Sequence, residues 1–493
     1  YLMAEILVAP KKNALQNEGI TASLYDMAMG TSQMLDCLSE KLLLIDEDAQ
    51  LTEFGQELNE QTYAIAKANM LIKGGDAENM KHGNTLSDDK FSGYKFDYII
   101  SNPPFGIEWK NEKAAVEAEH KKGDMGRFGA GLPAIGDSQQ LFVLNGVAKL
   151  KDTGRMAIIQ NGSPLFKGDA GSGESNIRGY LIENDWLEAI IQIPNDMFYN
   201  TGIATYIWVV SKDKALDRTG KVQLIDASKC CVKRRKPLGN KRNEFTDECV
   251  SLIAQAYEAF SNGVFTDEEH GLEVEVKIKD NEDFKYTKVV VEQPICDETG
   301  KPVLKKGNMQ ADSSKRDTET IPWKEEIEAY MEKNVYPYAP DAWIDEKKSK
   351  VGYEIPFTRL FYKFVPPAKS EDIFAQIKEL EAEETVGYNR KGKLGKPSRI
   401  AAIPIGYADG LDRHLGNGNG YCIVNGCKAP YVGNICMDVA MIDVTGIDCK
   451  EGDMVEIFGN NLPVSVLSDA LQTIPYEVLT SVSNRVKRIY LME

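Results

Sequence analysis

No apolar run in this chain of 493 residues is long enough to cross a membrane, and its opening residues do not read as a secretory signal. Membrane-spanning and exported classes are set aside on that ground. Metal-ligand spacing is missing too. The nine cysteines are scattered, and Cys230-Cys231 is an adjacent pair rather than a Cys-x-x-Cys. A reduced, cytoplasmic setting with no metal centre is the expectation. Positive charge is in deficit: the net charge of -17 speaks against indiscriminate nucleic-acid binding and leaves room for a local basic cleft. The chain begins with Tyr1, within what reads as a helix, so a fragment is expected.

What is present is ordinary globular composition, 42% hydrophobic and 27% charged, with length for two to four domains. The most informative stretch is Asn102-Pro103-Pro104-Phe105. It follows Phe96 to Ser101, an apolar run that reads as a buried strand. Open α/β sheets place their ligands at such carboxyl ends. The two prolines remove donors and stiffen the chain, leaving the Asn102 side chain and the Pro103 carbonyl to accept, beside the flat face of Phe105. That set suits a planar base with an exocyclic amine. A proline-rich turn explains the tetrapeptide alone equally well.

Upstream, Leu24 to Ser32 reads as a strand end, a glycine-containing turn and a helix start. The stretch from Ser39 to Leu51 is less regular. Leu51 to Glu57 reads as a second strand and Gln61 to Lys73 as a helix. Strands alternating with helices predict a doubly wound, parallel α/β sheet. In that geometry the turn at Asp26 to Gly30 approaches a ligand, Glu57 faces ribose hydroxyls, and Asn84 lies near a purine ring.

The order Asp26-x-x-x-Gly30, acidic strand end, Gly83-Asn84-Thr85-Leu86, Asn102-Pro103-Pro104-Phe105 resembles the modification subunits of type I restriction–modification systems. The likeness continues through Gly136-Asp137-Ser138, Gly154 to Ile159, Asn176 to Leu181, Ile190 to Pro194 and Phe198 to Ile203, to about Glu384. It implies an adenine-specific DNA methyltransferase that uses S-adenosylmethionine, with specificity and restriction subunits as partners beside DNA. It implies donor contacts at Asp26, Gly30, Thr31, Glu57, Asn84 and Thr85, and a flipped adenine held by Asn102, Pro103, Pro104 and Phe105. Catalysis would then be orientation and electrostatics, without a covalent enzyme intermediate. Two positions depart from the family turn: Met27 stands where proline is usual and Ser32 where glycine is.

Beyond residue 215 the pattern is harder to read, and residues 216–384 are expected to be a mixed α+β accessory region behind a catalytic domain spanning 1–215. Lys229, Lys233, Arg234, Arg235, Lys236, Lys241 and Arg242 form one basic cluster. A solvated loop is the blander reading and a phosphate-contacting strip the sharper one. A helix is expected from about Asn243, a strand over Lys285 to Glu292, a loop over Gln310 to Thr320, and an acidic helix over Ser370 to Glu384.

From Thr385 to Glu493 short strands and turns predict a small all-β barrel or sandwich. Thr385-Val386-Gly387-Tyr388, Ile405 to Gly410, Ile435-Cys436-Met437-Asp438, Ile474-Pro475-Tyr476-Glu477 and Asn484 to Arg488 together resemble the carboxyl-terminal domain of alanine racemase. That resemblance implies Tyr407 as an acid/base, a Met437 backbone contact to substrate and Tyr476 on a cofactor phosphate. Pyridoxal phosphate would need a barrel supplied in trans, so racemase activity is not expected from this chain alone. A fusion of two fragments near Glu384 is the expectation. Two other readings stay open: a non-catalytic docking module with a degenerate donor site, and a racemase half-site completed by a partner.

Overall fold

The computed structural model describes residues 1–11, 19–199, 201–296, 302–305, 308–363, 385–386, 392–483 and 485–486. The expected acidic helix over 370–384 lies outside them. Contacts divide the chain into two units, Tyr1–Lys363 and Phe364–Glu493.

The first unit is built on one sheet of ten strands. In chain order these include β1 (Thr21–Asp26), β2 (Gln50–Glu57), β3 (Met80–His82), β4 (Phe96–Ser101), β5 (Leu150–Asn161), β6 (Leu187–Ile193), β7 (Thr205–Ser211) and β8 (Lys221–Asp226). A two-stranded hairpin follows, β9 (Val232–Leu238) with β10 (Lys241–Glu244), and then β11 (Gly263–Asp267) and β12 (Leu272–Asp280) rejoin the sheet. The order across the sheet is β11-β12-β8-β6-β7-β5-β4-β1-β2-β3. From β3 to β5 every pairing is parallel; β7 runs antiparallel to both β5 and β6, and β12 and β11 are antiparallel additions. The sheet is therefore mixed where a purely parallel one was expected. No structural break falls at 215, since β8 and β12 lie in the same sheet as β7.

Both faces are covered. Leu24, Ile100 and Ile191 join one apolar cluster while their chain neighbours Tyr25, Ile99 and Ile190 join the other. Successive side chains point to opposite faces of a strand, so near-continuous apolar runs are what a doubly covered sheet requires. The helix Gln33–Leu43 passes through Ser39, where an irregular segment was expected. The helix Glu60–Ile72 begins at Asn59, whose side chain accepts from the Thr62 amide at 3.0 Å. The helix Asp247–Ala259 starts at the Thr246 cap and buries Ile253, Ala254 and Tyr257.

Lys285–Glu292 pairs with Asp317–Pro322, Trp343–Ile344 and Lys350–Tyr353 in a second sheet. The expected loop over Gln310 to Thr320 thus ends in strand from Asp317: every residue of Asp317–Pro322 finds a partner on Lys285–Glu292, and those ladder bonds override a polar sequence.

The second unit holds small sheets. Ile400–Ile403 pairs with Ala440–Asp443, and Tyr421–Val424 with Cys427–Pro430 and Val455–Glu456. Asn425-Gly426 makes the two-residue hairpin turn with φ of +48° and +77°, as the right-handed strand twist demands. The expectation of an all-β tail needs correcting, because Val464–Ala470 and Pro475–Ser481 are helices. Their apolar members Leu467 and Val478 are buried in the same cluster as the strands.

Candidate functional site

β1 has β2 on one side and β4 on the other, so the chain leaves it in opposite directions and a crevice opens at its carboxyl end. Asp26 and Ser101 are the last residues of β1 and β4. The Ser101 hydroxyl donates to Asp26 Oδ1 at 2.7 Å, and the Ala28 amide donates to the same oxygen at 3.0 Å. Asp26 Oδ2 is buried and has no hydrogen-bond partner among the described residues. Burial is the main reason that the Asp26 carboxyl is pushed up to about 7; the bonds from Ser101 and Ala28 oppose the rise and the charge of Glu57 adds to it.

The turn after β1 is tied down on both sides. Glu57 Oε2 accepts from the Gly30 amide at 2.9 Å and Glu57 Oε1 from the Asn59 amide at 2.7 Å. Thr85 Oγ1 donates to the Met27 carbonyl at 2.5 Å. Gly30 has a φ of +55°, and among the described residues beyond its chain neighbours no atom lies within 4 Å of where a Cβ would sit. The Thr31 carbonyl accepts from Asn69 Nδ2 at 3.3 Å. Asn84 is engaged at both ends: Nδ2 donates to Glu112 Oε1 at 2.8 Å, and Oδ1 accepts from the Leu86 amide at 2.9 Å. The two departures fare differently. Met27 is buried, its sulfur 3.5 Å from Asn145 Nδ2. Ser32 is forced to a left-handed φ of +73°, with its hydroxyl buried and unpartnered among the described residues.

One residue beyond Ser101, Asn102 Oδ1 is also buried without a hydrogen-bond partner among the described residues. Pro103 is buried, Pro104 exposed and Phe105 half-buried. The Phe105 ring meets Phe198 edge-on, centroids 6.3 Å apart. Hydrogen bonds thus join Asp26 to Ser101, Gly30 to Glu57 and Thr85 to Met27, and Asn102 follows Ser101 at the end of β4. Ser101 and Phe198 were not singled out as site residues from the sequence. The pairing of Ser101 with Asp26 spans 75 positions and emerges only when β4 lies beside β1. The unsatisfied acceptors at Asp26 and Asn102 fit a ligand that brings positive charge or N–H groups, as an amino-acid-bearing sulfonium nucleoside and an adenine amine would.

Tyr407, Met437 and Tyr476 lie in the second unit. The Tyr407 and Ala408 amides donate to the Cys436 and Met437 carbonyls, each at 3.0 Å, so two of the three loops are joined. The helix bearing Tyr476 returns to that turn through Ser481 Oγ, which donates to the Gly410 carbonyl at 3.2 Å. All three side chains are exposed, Tyr407 by 45% and Tyr476 by 75%. A pyridoxal ring needs a lysine and an enclosed phosphate pocket, and side chains this exposed do not make one.

Residues 2–298 match the N-6 DNA methylase family model, and residues 370–490 match the model of the alanine racemase carboxyl-terminal domain. Among proteins similar to the first part is the type I restriction enzyme MjaIX methylase subunit of Methanocaldococcus jannaschii, 26% identical over 243 residues, 49% of this chain and 42% of that protein. The second part is similar to the alanine racemase of Desulfosudis oleivorans, 45% identical over 121 residues, 24% of this chain and 31% of that enzyme. The methyltransferase subunit of a type I restriction–modification system from Streptococcus thermophilus aligns at 27% identity and a TM-score of 0.46, covering 57% of this chain and 55% of that one. The chain spans less than half the length of either curated relative. The chain belongs to the N-6 DNA methylase family, and its residues 370–490 are similar to the carboxyl-terminal domain of alanine racemases.

Proposed function

We propose that residues 1–363 work as an S-adenosylmethionine-dependent methyltransferase acting on the exocyclic amine of adenine in DNA, as the modification subunit of a type I system beside specificity and restriction subunits. The observation that carries this is the buried, unpartnered Asn102 Oδ1, one residue from the Ser101–Asp26 bond at the switch point of the sheet. S-adenosylmethionine, when bound, supplies an electrophilic methyl on a sulfonium. The Asp26–Gly30 turn with Glu57 would hold it.

Asn102 Oδ1 and the Pro103 carbonyl accept the two hydrogens of the amine. Accepting both draws the nitrogen toward a tetrahedral shape and aims its lone pair away from the ring, which restores nucleophilicity. Phe105 gives the extruded base a face to stack on, and Phe198 holds Phe105 in place.

The test is methyl transfer from labelled donor to DNA, with and without a specificity subunit. Asn102→Ala is expected to remove transfer while donor binding persists, a loss of roughly 3 kcal/mol or more in the transition state. Full activity in that variant would end this reading. Ser32 favours one second reading, a docking module whose donor site has decayed, because a non-glycine residue is forced left-handed at the donor turn. Absence of donor binding by calorimetry would select it.

A further inference from the structure

The basic cluster is a hairpin, and its placement gives it a role. β6 and β8 run parallel to each other and, through the antiparallel β7, in the same direction as β4. The carboxyl ends of β4, β6 and β8 therefore share one edge of the sheet. β8 ends at Asp226 and feeds the hairpin β9–β10; β6 ends at Ile193 and feeds the loop that carries Phe198.

The hairpin is bonded to that loop. The amides of Arg242 and Asn243 donate to the Asp196 carbonyl at 2.9 and 3.2 Å, and the Asn240 amide donates to the Tyr199 carbonyl at 2.8 Å. Asn243 Nδ2 donates to the Asn195 carbonyl at 2.8 Å. Lys241 Nζ sits 5.8 Å from the centre of the Tyr199 ring. The hairpin, the loop, Phe198 and Phe105 form one continuous chain of contacts leading to Asn102.

Its register concentrates charge. Leu238 pairs with Lys241 and Lys233 with Asn243, so Arg234, Arg235, Lys236 and Pro237 stand opposite Arg242 alone. Such a bulge throws residues outward and re-aims side chains beside a site. Arg234 is paired with Glu244, and Lys229 reaches Glu273 at 4.0 Å. Lys233, Arg235, Lys236 and Arg242 are exposed and make no ion pair among the described residues. A chain of net charge -17 has concentrated unpaired cations at the edge where its acceptor stands.

We propose that the β9–β10 hairpin grips the phosphodiester backbone of duplex DNA next to the extruded base. This rests on the methyltransferase reading above. The contact is non-specific in sequence; it supplies affinity and register while base recognition is left elsewhere.

The experiment measures the affinity of the full chain for a mixed-sequence DNA duplex by fluorescence anisotropy over a range of salt. It compares wild type, Arg235→Gln/Lys236→Gln, and a control of equal charge change, Lys333→Gln/Lys347→Gln. Neither hairpin side chain makes an ion pair among the described residues, and both are exposed, so folding is not at stake. The expected result is weaker binding by the hairpin variant and a salt slope lower by roughly two, since each neutralised phosphate contributes about 0.9. The control should follow wild type. Equal slopes in the two variants, or no duplex binding by wild type, would overturn the assignment. Equal slopes with loss of specificity-subunit capture would give the strip to a protein partner instead, and would overturn it too. Donor binding by calorimetry, at a turn neither variant touches, reports on the methyltransferase reading separately.

Discussion

Ser32 holds a backbone φ of +73° immediately before the helix Gln33–Leu43, with its hydroxyl buried and unpartnered. Left-handed backbone is free for glycine and costs other residues on the order of 1 kcal/mol. Ser32→Gly is expected to relieve that cost, raising stability to urea by a similar amount, and to tighten donor binding by taking the side chain out of the turn; calorimetry giving equal or weaker affinity would detach Ser32 from the donor turn. Asp26 gives a pH signature. Its folded carboxyl, pushed up to about 7 chiefly by burial, lies above its ordinary value of 3.8. The folded state thus binds the proton more tightly than the unfolded chain, and the ligand-free protein should gain stability as pH falls from about 7 toward 3.8. A cationic donor favours the carboxylate, so its affinity should rise with pH through about 7, with proton release below that value. Calorimetry in buffers of different ionisation heat reads this directly, and a flat profile would place Asp26 away from the ligand. The placement of Asp26 and Glu57 at strand ends and of Gly30 in a turn was readable from the sequence because such positions announce themselves locally. The pairing of Ser101 was not, because two strands separate it from its partner in the chain.

Elements here are fastened by a few buried polar residues. Arg155 on β5 donates to both carboxylate oxygens of Glu188 on β6, at 2.9 and 3.1 Å, and to Tyr257 on the helix Asp247–Ala259 at 2.6 Å. Its Nε reaches the Leu7 carbonyl at 3.1 Å in the first helix, Leu2–Val8. Burial alone would raise the Glu188 carboxyl; the charge and hydrogen bonds of Arg155, with Arg218 nearby, outweigh it and hold the group down to about 2. The stabilisation from Glu188 is complete above its unfolded value of 4.5 and is lost as pH falls toward about 2. Glu188→Ala should cost roughly 3–5 kcal/mol in urea unfolding, because it strands a buried guanidinium; a cost under about 1 kcal/mol would mean that water reaches Arg155. Legibility at this scale followed burial. Phe96–Ser101 and Tyr421–Val424 have the apolar runs of core strands and were placed to the residue. The hairpin and Asp317–Pro322 were missed because their residues are polar and their pairing is decided by the neighbouring strand. The tail helices were missed because seven residues are too few for a period of 3.6 to stand out.

The whole molecule is two units with separate apolar cores: the clusters of Tyr1–Lys363 share no residue with that of the second unit. Each unit has its own apolar core, so independent folding is expected. A segment of residues 1–363 should unfold at the same temperature as the first transition or the second in the full chain, and donor binding should shift only that one. A single transition in calorimetry, moved as a whole by donor, would show that the units fold together. The place of β7 has a consequence for synthesis. β7 lies between β5 and β6, yet the ribosome makes it after both. Until residue 211 has emerged, the nascent chain carries an unfilled slot with a bare strand edge on each side. Translation through the loop before Thr205 is therefore the interval in which this protein is most exposed to pairing with a neighbour on the same message.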